Sequence, residues 1–228
     1  RWIGCRGCHA CAFRRNGVNG FMKVAFHTLG CKVNQYDSQA MLEILIREGY
    51  EPVSFSQKSD IYVINTCTVT GTGDRKSLQL ARRIKREHPD SLLVLCGCMA
   101  QQQGERLLKE TRADLVLGTQ FRGKIAELIA QVLSDGIPRC AVQPLLPGPP
   151  FEPLDVTSFS EHTRASVKIQ EGCNNHCSYC IIPSVRGPIR SRMPEDILRE
   201  VVRLRDQGFK EIVVTGIHLA SYGREIKD

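Results

Sequence analysis

Between residues 22 and 133, short apolar runs alternate with segments that have the periodicity of amphipathic helices. The runs KVAFHTL, IYVIN, SLLVL and DLVLG have the length and composition of buried strands, and EPVSF is a shorter candidate. The first intervening helix is predicted over residues 37–48, ending at Gly49. Repeated strand–helix units of this size form parallel sheets covered by helices on both faces, so the sequence predicts an α/β domain of the flavodoxin type.

Three cysteines follow three of these predicted strands. Cys31 comes after KVAFHTLG, Cys67 after IYVINT, and Cys98 at the end of SLLVLCGC. Ligands of a parallel sheet bind beyond the carboxyl ends of its strands, where residues distant in sequence meet at one edge. Buried free thiols would scatter through strands and helices, since they pack as small apolar groups. The recurrence at one topological position predicts a shared ligand site.

Two further cysteines of this region are weaker candidates. Cys96 lies within an apolar strand, whereas Cys98 lies in a predicted turn beside Gly97, where the backbone can approach an inorganic ligand closely. Cys140 stands alone in a proline-rich segment, and no ligand role is predicted for it.

That proline-rich segment divides the chain. Six of the 11 prolines fall between Pro138 and Pro153, a density that interrupts helices and sheet interiors and predicts an extended connector. The opening residues show no periodicity and are predicted to be an unstructured extension. The predicted organisation is an extension at 1–21, a first domain at 22–134, a connector at 135–162 and a second domain at 163–228.

The second domain begins like a barrel of strand–helix units. RASVKIQ is a predicted strand, Pro194 begins a helix that Gly208 ends, and EIVVT is a second strand. A strand, a helix and a parallel strand form one unit of a TIM-type barrel, whose functional loops follow the strands. Residues 163–228 supply only the first units, so we predict a truncated barrel with an uncovered strand edge. Residues 1–228 alone are expected to be poorly stable and inactive.

The loop after RASVKIQ contains CNNHCSYC, in which Cys173, Cys177 and Cys180 are spaced by four and three residues. A tetrahedral zinc site requires four ligands. His176 is the candidate fourth ligand, but it lies inside the triplet, where it cannot easily reach the same metal. The chain begins without an apolar signal segment, which favours the cytosol and argues against disulfides for its eleven cysteines. An iron–sulfur cluster on three thiolates, with one iron left open, is the remaining interpretation, and spacing alone does not decide between it and zinc.

The two halves together resemble a known family. The stretch from Cys173 to Cys180 looks like the CxxxCxφC motif of radical S-adenosylmethionine (SAM) enzymes, with Tyr179 as the aromatic residue. Upstream, GCKVN, NTC and GCMAQ are similar to motifs of the tRNA methylthiotransferases, and the match covers about residues 22–228.

This resemblance implies that Cys173, Cys177 and Cys180 hold a 4Fe–4S cluster whose fourth iron binds SAM. An electron delivered there cleaves SAM and releases a 5′-deoxyadenosyl radical, while the protein orients the reactants and excludes water and oxygen. The resemblance further places four residues near SAM or the substrate, although packing would explain Tyr179 and a surface loop would explain His218 equally well. These four residues are Tyr179, Gly216, His218 and Arg190.

The resemblance also assigns a second 4Fe–4S cluster to Cys31, Cys67 and Cys98. The open iron of this cluster would carry the sulfur that is methylated and inserted. One SAM molecule would donate the methyl group, and another would be the radical source.

The segments HTLGCKVNQYDS and TGIHLASYG look most like the branch that acts on N6-threonylcarbamoyladenosine at position 37 of tRNA, next to the anticodon. Branches that modify isopentenyladenosine in tRNA or an aspartate of a ribosomal protein are the alternatives. The implied partners are tRNA, a reducing electron donor and a sulfur source. No membrane partner is expected, since the sequence lacks a run of about 18 apolar residues.

Two other classes of protein fit the sequence less well. A cobalamin-dependent radical enzyme needs a DxHxxG signature, but Ala25 stands where the aspartate before His27 should be. A zinc-stabilised RNA-binding module would need four ligands at each site, and the cysteines offer three ligands twice.

The formal charge of +7 adds little, because four of the arginines fall in residues 1–21, which hold no acid. Two local clusters are more suggestive as phosphate contacts, although a solvated helix face explains the first equally well. These clusters are Arg82, Arg83, Lys85 and Arg86 on one predicted helix, and Arg186, Arg190 and Arg192 near the thiol triplet.

Overall fold

A computed structural model describes residues 21–69, 71–147, 151–154, 156–157 and 164–226. The predicted extension at residues 1–21 lies outside the described residues, apart from Phe21.

Six parallel strands form the first sheet, in the spatial order β2-β1-β3-β4-β5-β6. The strand order reverses between β1 and β3, which is the switch point where open α/β sheets of the flavodoxin type bind their ligands. The predicted fold class is therefore confirmed for this half. The strands are β1 (Lys23–Thr28), β2 (Glu51–Val53), β3 (Ile61–Thr66), β4 (Leu92–Gly97), β5 (Leu115–Leu117) and β6 (Arg139–Ala141).

Helices cover both faces of this sheet, because successive residues of each strand point to opposite sides. Val24, Val63 and Val94 pack under the first and fifth helices, while their neighbours, such as Ala25 and Leu93, pack under the second and fourth. The helices are α1 (Lys32–Arg47), α2 (Gly71–Glu87), α3 (Cys98–Gln103), α4 (Glu105–Thr111) and α5 (Ile125–Asp135).

The structure differs from the sequence-based prediction at two places. Helix α1 begins at Lys32, five residues before the predicted start, because Asn34 and Asp37 find buried partners that the local sequence does not reveal. The predicted connector also contributes β6, which pairs with β5 at the edge of the sheet, a position that tolerates a preceding proline. The division into two domains itself stays a prediction.

The second sheet has three strands in the order β8-β7-β9. β7 and β9 are parallel, and the intervening helix packs Leu204 against Ala165 and Val167 of β7, as predicted for a barrel unit. The short β8 pairs antiparallel with β7 on its other side. The elements are β7 (Arg164–Glu171), α6 (Ile182–Arg186), β8 (Arg190–Ser191), α7 (Pro194–Asp206) and β9 (Glu211–Gly216).

Within the described ranges, every helix is too short or too polar to cross a bilayer.

Gly97, the last residue of β4, adopts φ +91°, and a Cβ atom there would lie 2.3 Å from Asn65 Oδ1 and 2.6 Å from the Thr66 carbonyl oxygen. We expect Gly97→Ala to lower the free energy of unfolding by about 2 kcal/mol or more, through backbone strain and this clash. Gly71→Ala is the matched control, since nothing lies within 4 Å of a Cβ at that position. Urea unfolding followed by circular dichroism measures both, and equal stability of the two variants would contradict the expectation.

Candidate functional site

The three first-domain cysteines leave the sheet at one edge. Cys31 directly precedes α1, Cys67 follows β3, and Cys98 is the first residue of α3. These elements extend from β1, β3 and β4, which are adjacent parallel strands. The predicted convergence at the carboxyl edge is therefore found at the switch point of the sheet.

Two buried asparagines tie the cysteine-bearing loops together. Asn34 Nδ2 donates to the carbonyl oxygens of Leu29 (2.8 Å) and Thr66 (3.0 Å), one on each side of the gap between β1 and β3. Asn65 Nδ2 donates to the Asn34 carbonyl oxygen and to Ser38 Oγ, both at 2.9 Å. Sequence reasoning treated GCKVN and NTC as motifs by resemblance alone, and these bonds give their asparagines a physical role.

The thiols of the first group are close neighbours. A Cβ atom on Gly30 would lie 2.9 Å from Cys67 Sγ, so the residue before Cys31 crosses directly over Cys67. Burial raises the pKa of the Cys98 thiol, the nearby Cys67 and Cys31 raise it further, and the Arg186 guanidinium opposes the rise. Cys98 thus lies within electrostatic reach of both other thiols of its group.

The two cysteines that were judged weaker candidates lie elsewhere. Cys96 is buried in β4 among apolar residues, with its Sγ 3.6 Å from the Ile64 carbonyl oxygen, and burial strongly raises the pKa of its thiol. Cys140 is half-buried on the edge strand β6. Neither position lies at the carboxyl edge with Cys98.

The second group of thiols lies on the loop between β7 and α6. Cys173 is buried, Cys180 half-buried and Cys177 exposed. The loop is folded on itself by bonds from the Cys180 amide to the Cys177 carbonyl oxygen (3.0 Å) and from the Asn175 amide to Cys173 Sγ (3.4 Å). Gly172 opens the loop with φ +75°, and a Cβ atom there would overlap a backbone oxygen at 1.9 Å, so only glycine fits.

Within the described residues, no three His, Cys, Asp or Glu side chains are close enough to bind a single metal ion together. An iron–sulfur cluster takes each thiolate on a separate iron, so its cysteines stand further apart than the ligands of one ion. Each group offers three free cysteines, which is the donor type that such a cluster takes.

The other predicted residues surround the second loop. Tyr179, between two of the cysteines, is 90% exposed, so packing does not account for it. Gly216 ends β9, where a Cβ atom would lie 3.0 Å from Gln170 Cβ. The His218 amide donates to Gln170 Oε1 at 2.7 Å, and its Nδ1 bonds to Ser221 Oγ. The turn after β9 is thereby held against β7, the strand that leads into the cysteines.

Arg190 borders a cavity of about 750 Å³ beside the cysteine loop. Its Nη2 donates to the Arg186 carbonyl oxygen at 2.9 Å, while its buried Nε has no hydrogen-bond partner among the described residues. Asn174 of the loop, Phe151 and Met193 contribute to the cavity wall. An available guanidinium at this place suits a carboxylate or phosphate ligand.

The two basic clusters do not form exposed phosphate-binding patches. Arg186, Arg190 and Arg192 are all buried, so they do not form an exposed patch, and their contact with a bound phosphate group stays a prediction. On α2, Arg82 pairs with Glu110 and Lys85 with Asp114, each at 2.6 Å, as expected for a solvated helix face. Burial of the arginines follows from their carboxylate partners, which the sequence does not show.

A buried ion network joins the two sheets. Asp37 of α1 and Glu171 of β7 share three cations, Arg122, Lys168 and Arg186, and every one of these side chains is at most 2% exposed. Arg186 Nη1 lies 2.9 Å from Asp37 Oδ2 and 2.6 Å from Glu171 Oε1. Burial alone would raise the pKa of both carboxyls, but the three cations lower it instead.

A second set of contacts fixes the same interface. Tyr36 of α1 donates its hydroxyl to the Leu154 carbonyl oxygen at 2.6 Å and lies 3.1 Å from Glu200 of α7. Glu200 also binds Arg192, which follows β8. Thr119 Oγ1, beyond β5, donates to the Val185 carbonyl oxygen of α6 at 2.8 Å. The two cysteine loops are consequently held in a defined relation.

Comparison with protein-family models matches both halves. Residues 23–118 match the family described as "Uncharacterized protein family UPF0004", and residues 167–227 match the radical SAM superfamily. The radical SAM match thus follows, along the chain, a match to a separate family model.

Proteins of similar sequence identify the family of this chain more closely. The chain is 48% identical to threonylcarbamoyladenosine tRNA methylthiotransferase MtaB of Bacillus subtilis, over 90% of this chain and 46% of that protein. It is 40% identical to tRNA-2-methylthio-N(6)-dimethylallyladenosine synthase of Syntrophobacter fumaroxidans, over 88% of this chain and 45% of the relative. The chain belongs to the radical SAM tRNA methylthiotransferase family, and it spans about half the length of these relatives.

A solved structure has the same fold. The radical SAM methyltransferase TsrM of Kitasatospora setae, with cobalamin and a [4Fe-4S] cluster bound, superposes with a TM-score of 0.59 at 15% identity. The match covers 90% of this chain and 50% of that one. It supports the succession of a parallel-sheet domain and barrel units, and at this identity it concerns the fold alone.

The ion network generates a test of the interface. Asp37→Asn should lower the free energy of unfolding by about 3–5 kcal/mol, because it leaves buried cations without a counter-charge. Glu110→Gln is the control, since its partner Arg82 lies on the surface and such pairs contribute less than about 1 kcal/mol. Urea unfolding of both variants provides the measurement. An Asp37→Asn variant as stable as the control would show that the network is not needed for folding.

Proposed function

We propose that the protein transfers a methylthio group to C2 of N6-threonylcarbamoyladenosine at position 37 of tRNA. The observation that carries this proposal is a contact between the two halves at a cysteine: Arg186 of α6, six residues after Cys180, touches Cys98 of α3. Insertion of sulfur into an unactivated C–H bond requires a radical source and a sulfur-bearing site within reach of one substrate. Two adjacent thiol trios provide for both.

Each trio would hold one 4Fe–4S cluster. Cys173, Cys177 and Cys180 take the cluster that binds SAM, and the trio at the switch point takes the cluster that carries sulfur. The trio at the switch point is Cys31, Cys67 and Cys98. Tyr179, Gly216, His218 and Arg190 would surround SAM, with Arg190 offering its free Nε to a carboxylate in the adjoining cavity.

Cys173, Cys177 and Cys180 would hold a reduced cluster that would supply radical chemistry from one SAM molecule. In the overall exchange the C–H bond at C2 of the base would be replaced by a C–S bond, and the hydrogen would leave on 5′-deoxyadenosine. A second SAM molecule would give the methyl group and leave as S-adenosylhomocysteine. A sulfur source and a reducing electron donor complete the balance, and the site of action would be the cytoplasm, where tRNA is available.

The residues of the chain orient and protect these groups. Gly30 and Gly97 let the backbone turn tightly around the first trio, and Asn34 and Asn65 fix the two loops relative to each other. The buried interface excludes water from the side of Cys98, which burial has already placed in a low-dielectric environment. The protein thus holds the reacting groups in place and excludes water, while the cofactors perform the chemistry.

A second candidate substrate is isopentenyladenosine, since a relative named for the dimethylallyl nucleoside is 40% identical. The 48% identity to the threonylcarbamoyl-specific relative favours the first candidate. Modification of a ribosomal-protein aspartate has no comparable support.

Iron content tests the two-cluster assignment. Anaerobic reconstitution with iron and sulfide should load about eight irons per chain, visible by chemical assay and Mössbauer spectroscopy. Changing all three cysteines of either trio to alanine should remove half of this iron. The double variant Cys96→Ala and Cys140→Ala is the control and should keep all of it. Full iron retention after either triple change would refute that assignment.

Nucleoside analysis tests the substrate. The full-length protein that contains this sequence, supplied with SAM, a reductant and sulfide, should add a methylthio group to tRNA carrying threonylcarbamoyladenosine. Transfer RNA carrying isopentenyladenosine should remain largely unmodified, because the side chains on N6 differ in charge and size. Mass spectrometry of digested tRNA gives the readout. Preference for the isopentenyl nucleoside would move the assignment to the second candidate.

A further inference from the structure

The side chain of Arg186 links the helix that follows the second cysteine loop to Cys98 of the first group. It ends α6, six residues after Cys180, yet its Nε lies 3.2 Å from Sγ of Cys98 in the other half of the molecule. Its side chain is fully buried. The contact is therefore made away from water, where a cation affects a sulfur atom most strongly.

Hydrogen bonds hold both terminal nitrogens of the Arg186 guanidinium in place. Nη1 binds both Asp37 (2.9 Å) and Glu171 (2.6 Å), and Nη2 donates to Asn34 Oδ1. These bonds leave Nε pointing at Cys98. Arginine suits this place because its planar fork can satisfy two carboxylates and still present a third, separate donor.

We propose that Arg186 is a positioning residue that orients the Cys98 thiolate and raises the reduction potential of the cluster at the first site. This inference rests on the proposed role of Cys98 as a cluster ligand. A hydrogen bond from a cation to a ligand sulfur favours the more negative, reduced state of a cluster, and net charge and such bonds are what set the potential. In this way Arg186, a residue of the second half of the molecule, tunes the reduction potential of the cluster in the first half.

The chain offers a matched control in Arg122. This arginine is also fully buried and binds the same carboxylates, Asp37 and Glu171, together with Glu152. Arg122→Gln should disturb the ion network as severely as Arg186→Gln does, but it removes no bond to a cysteine. A comparison of the two variants separates the effect on the thiolate from the effect on folding.

The experiment measures the potential of the first cluster alone. In a background with Cys173, Cys177 and Cys180 changed to alanine, reconstituted protein is titrated with dithionite, and the reduced cluster is followed by electron paramagnetic resonance. Arg186→Gln should shift the midpoint to a more negative value and alter the spectrum. Arg122→Gln should cause a smaller shift, and Arg186→Lys, which keeps the charge, should restore part of the original potential.

Each outcome decides the question. Equal potentials in the parent and Arg186→Gln, or equal shifts in the Arg186 and Arg122 variants, would overturn the inference. If neither Arg186 variant assembles a cluster while Arg122→Gln does, the thiolate contact is required and the inference stands. Failure of all three alike would assign the loss to the ion network and overturn it. Absence of any cluster from the parent would instead refute the proposed function itself.

Discussion

The fold depends on one electrostatic constraint, the burial of three cations and two carboxylates at the junction of the two sheets. A buried charge costs several kcal/mol unless it is paired and hydrogen-bonded, so none of these side chains can be buried alone. Asp37 and Arg122 belong to the first half, while Lys168, Glu171 and Arg186 belong to the second. Each half is consequently incomplete until the other docks. Such a network contributes little net stability compared with apolar packing, but it permits very few arrangements of the two halves.

Because the ion network permits few docking arrangements of the two halves, the two cysteine sites can lie on separate elements and still keep a fixed relation. Parallel sheets place ligands at the carboxyl ends of their strands, and each half of this molecule does so independently. Nothing in either sheet fixes the distance between the two edges. The contact of Arg186 with Cys98 crosses the junction at a thiol, and the bond from Thr119 to Val185 crosses it through the same helix, so the docking geometry helps to fix the geometry of the site.

The sequence predicted what local patterns determine, and it missed what distant partners determine. The alternation of apolar runs located the strands, and topology then placed Cys31, Cys67 and Cys98 at one edge, because both follow from short segments. The start of α1 was wrong, since a polar stretch containing Asn34 and Asp37 resembles a loop until its partners are known. The carboxylate partners of Arg186 were missed for the same reason, because they lie 15 and 149 residues away. A cluster of arginines beside a thiol motif was the only available signal.

Cys96 and Cys98 show how strongly position determines the chemistry of one side-chain type. Cys96 is still part of β4, with its side chain in the apolar core, and burial strongly raises the pKa of its thiol. Gly97 then turns the backbone through a conformation closed to other residues, and Cys98 leaves the sheet as the first residue of α3. There a buried guanidinium contacts the sulfur and opposes the rise that burial causes in the pKa of this thiol. Cys96 and Cys98 are only two residues apart, yet the first packs in the core and the second lies where a ligand could bind. The difference comes from the turn at Gly97 and from Arg186, which belongs to the opposite half of the molecule.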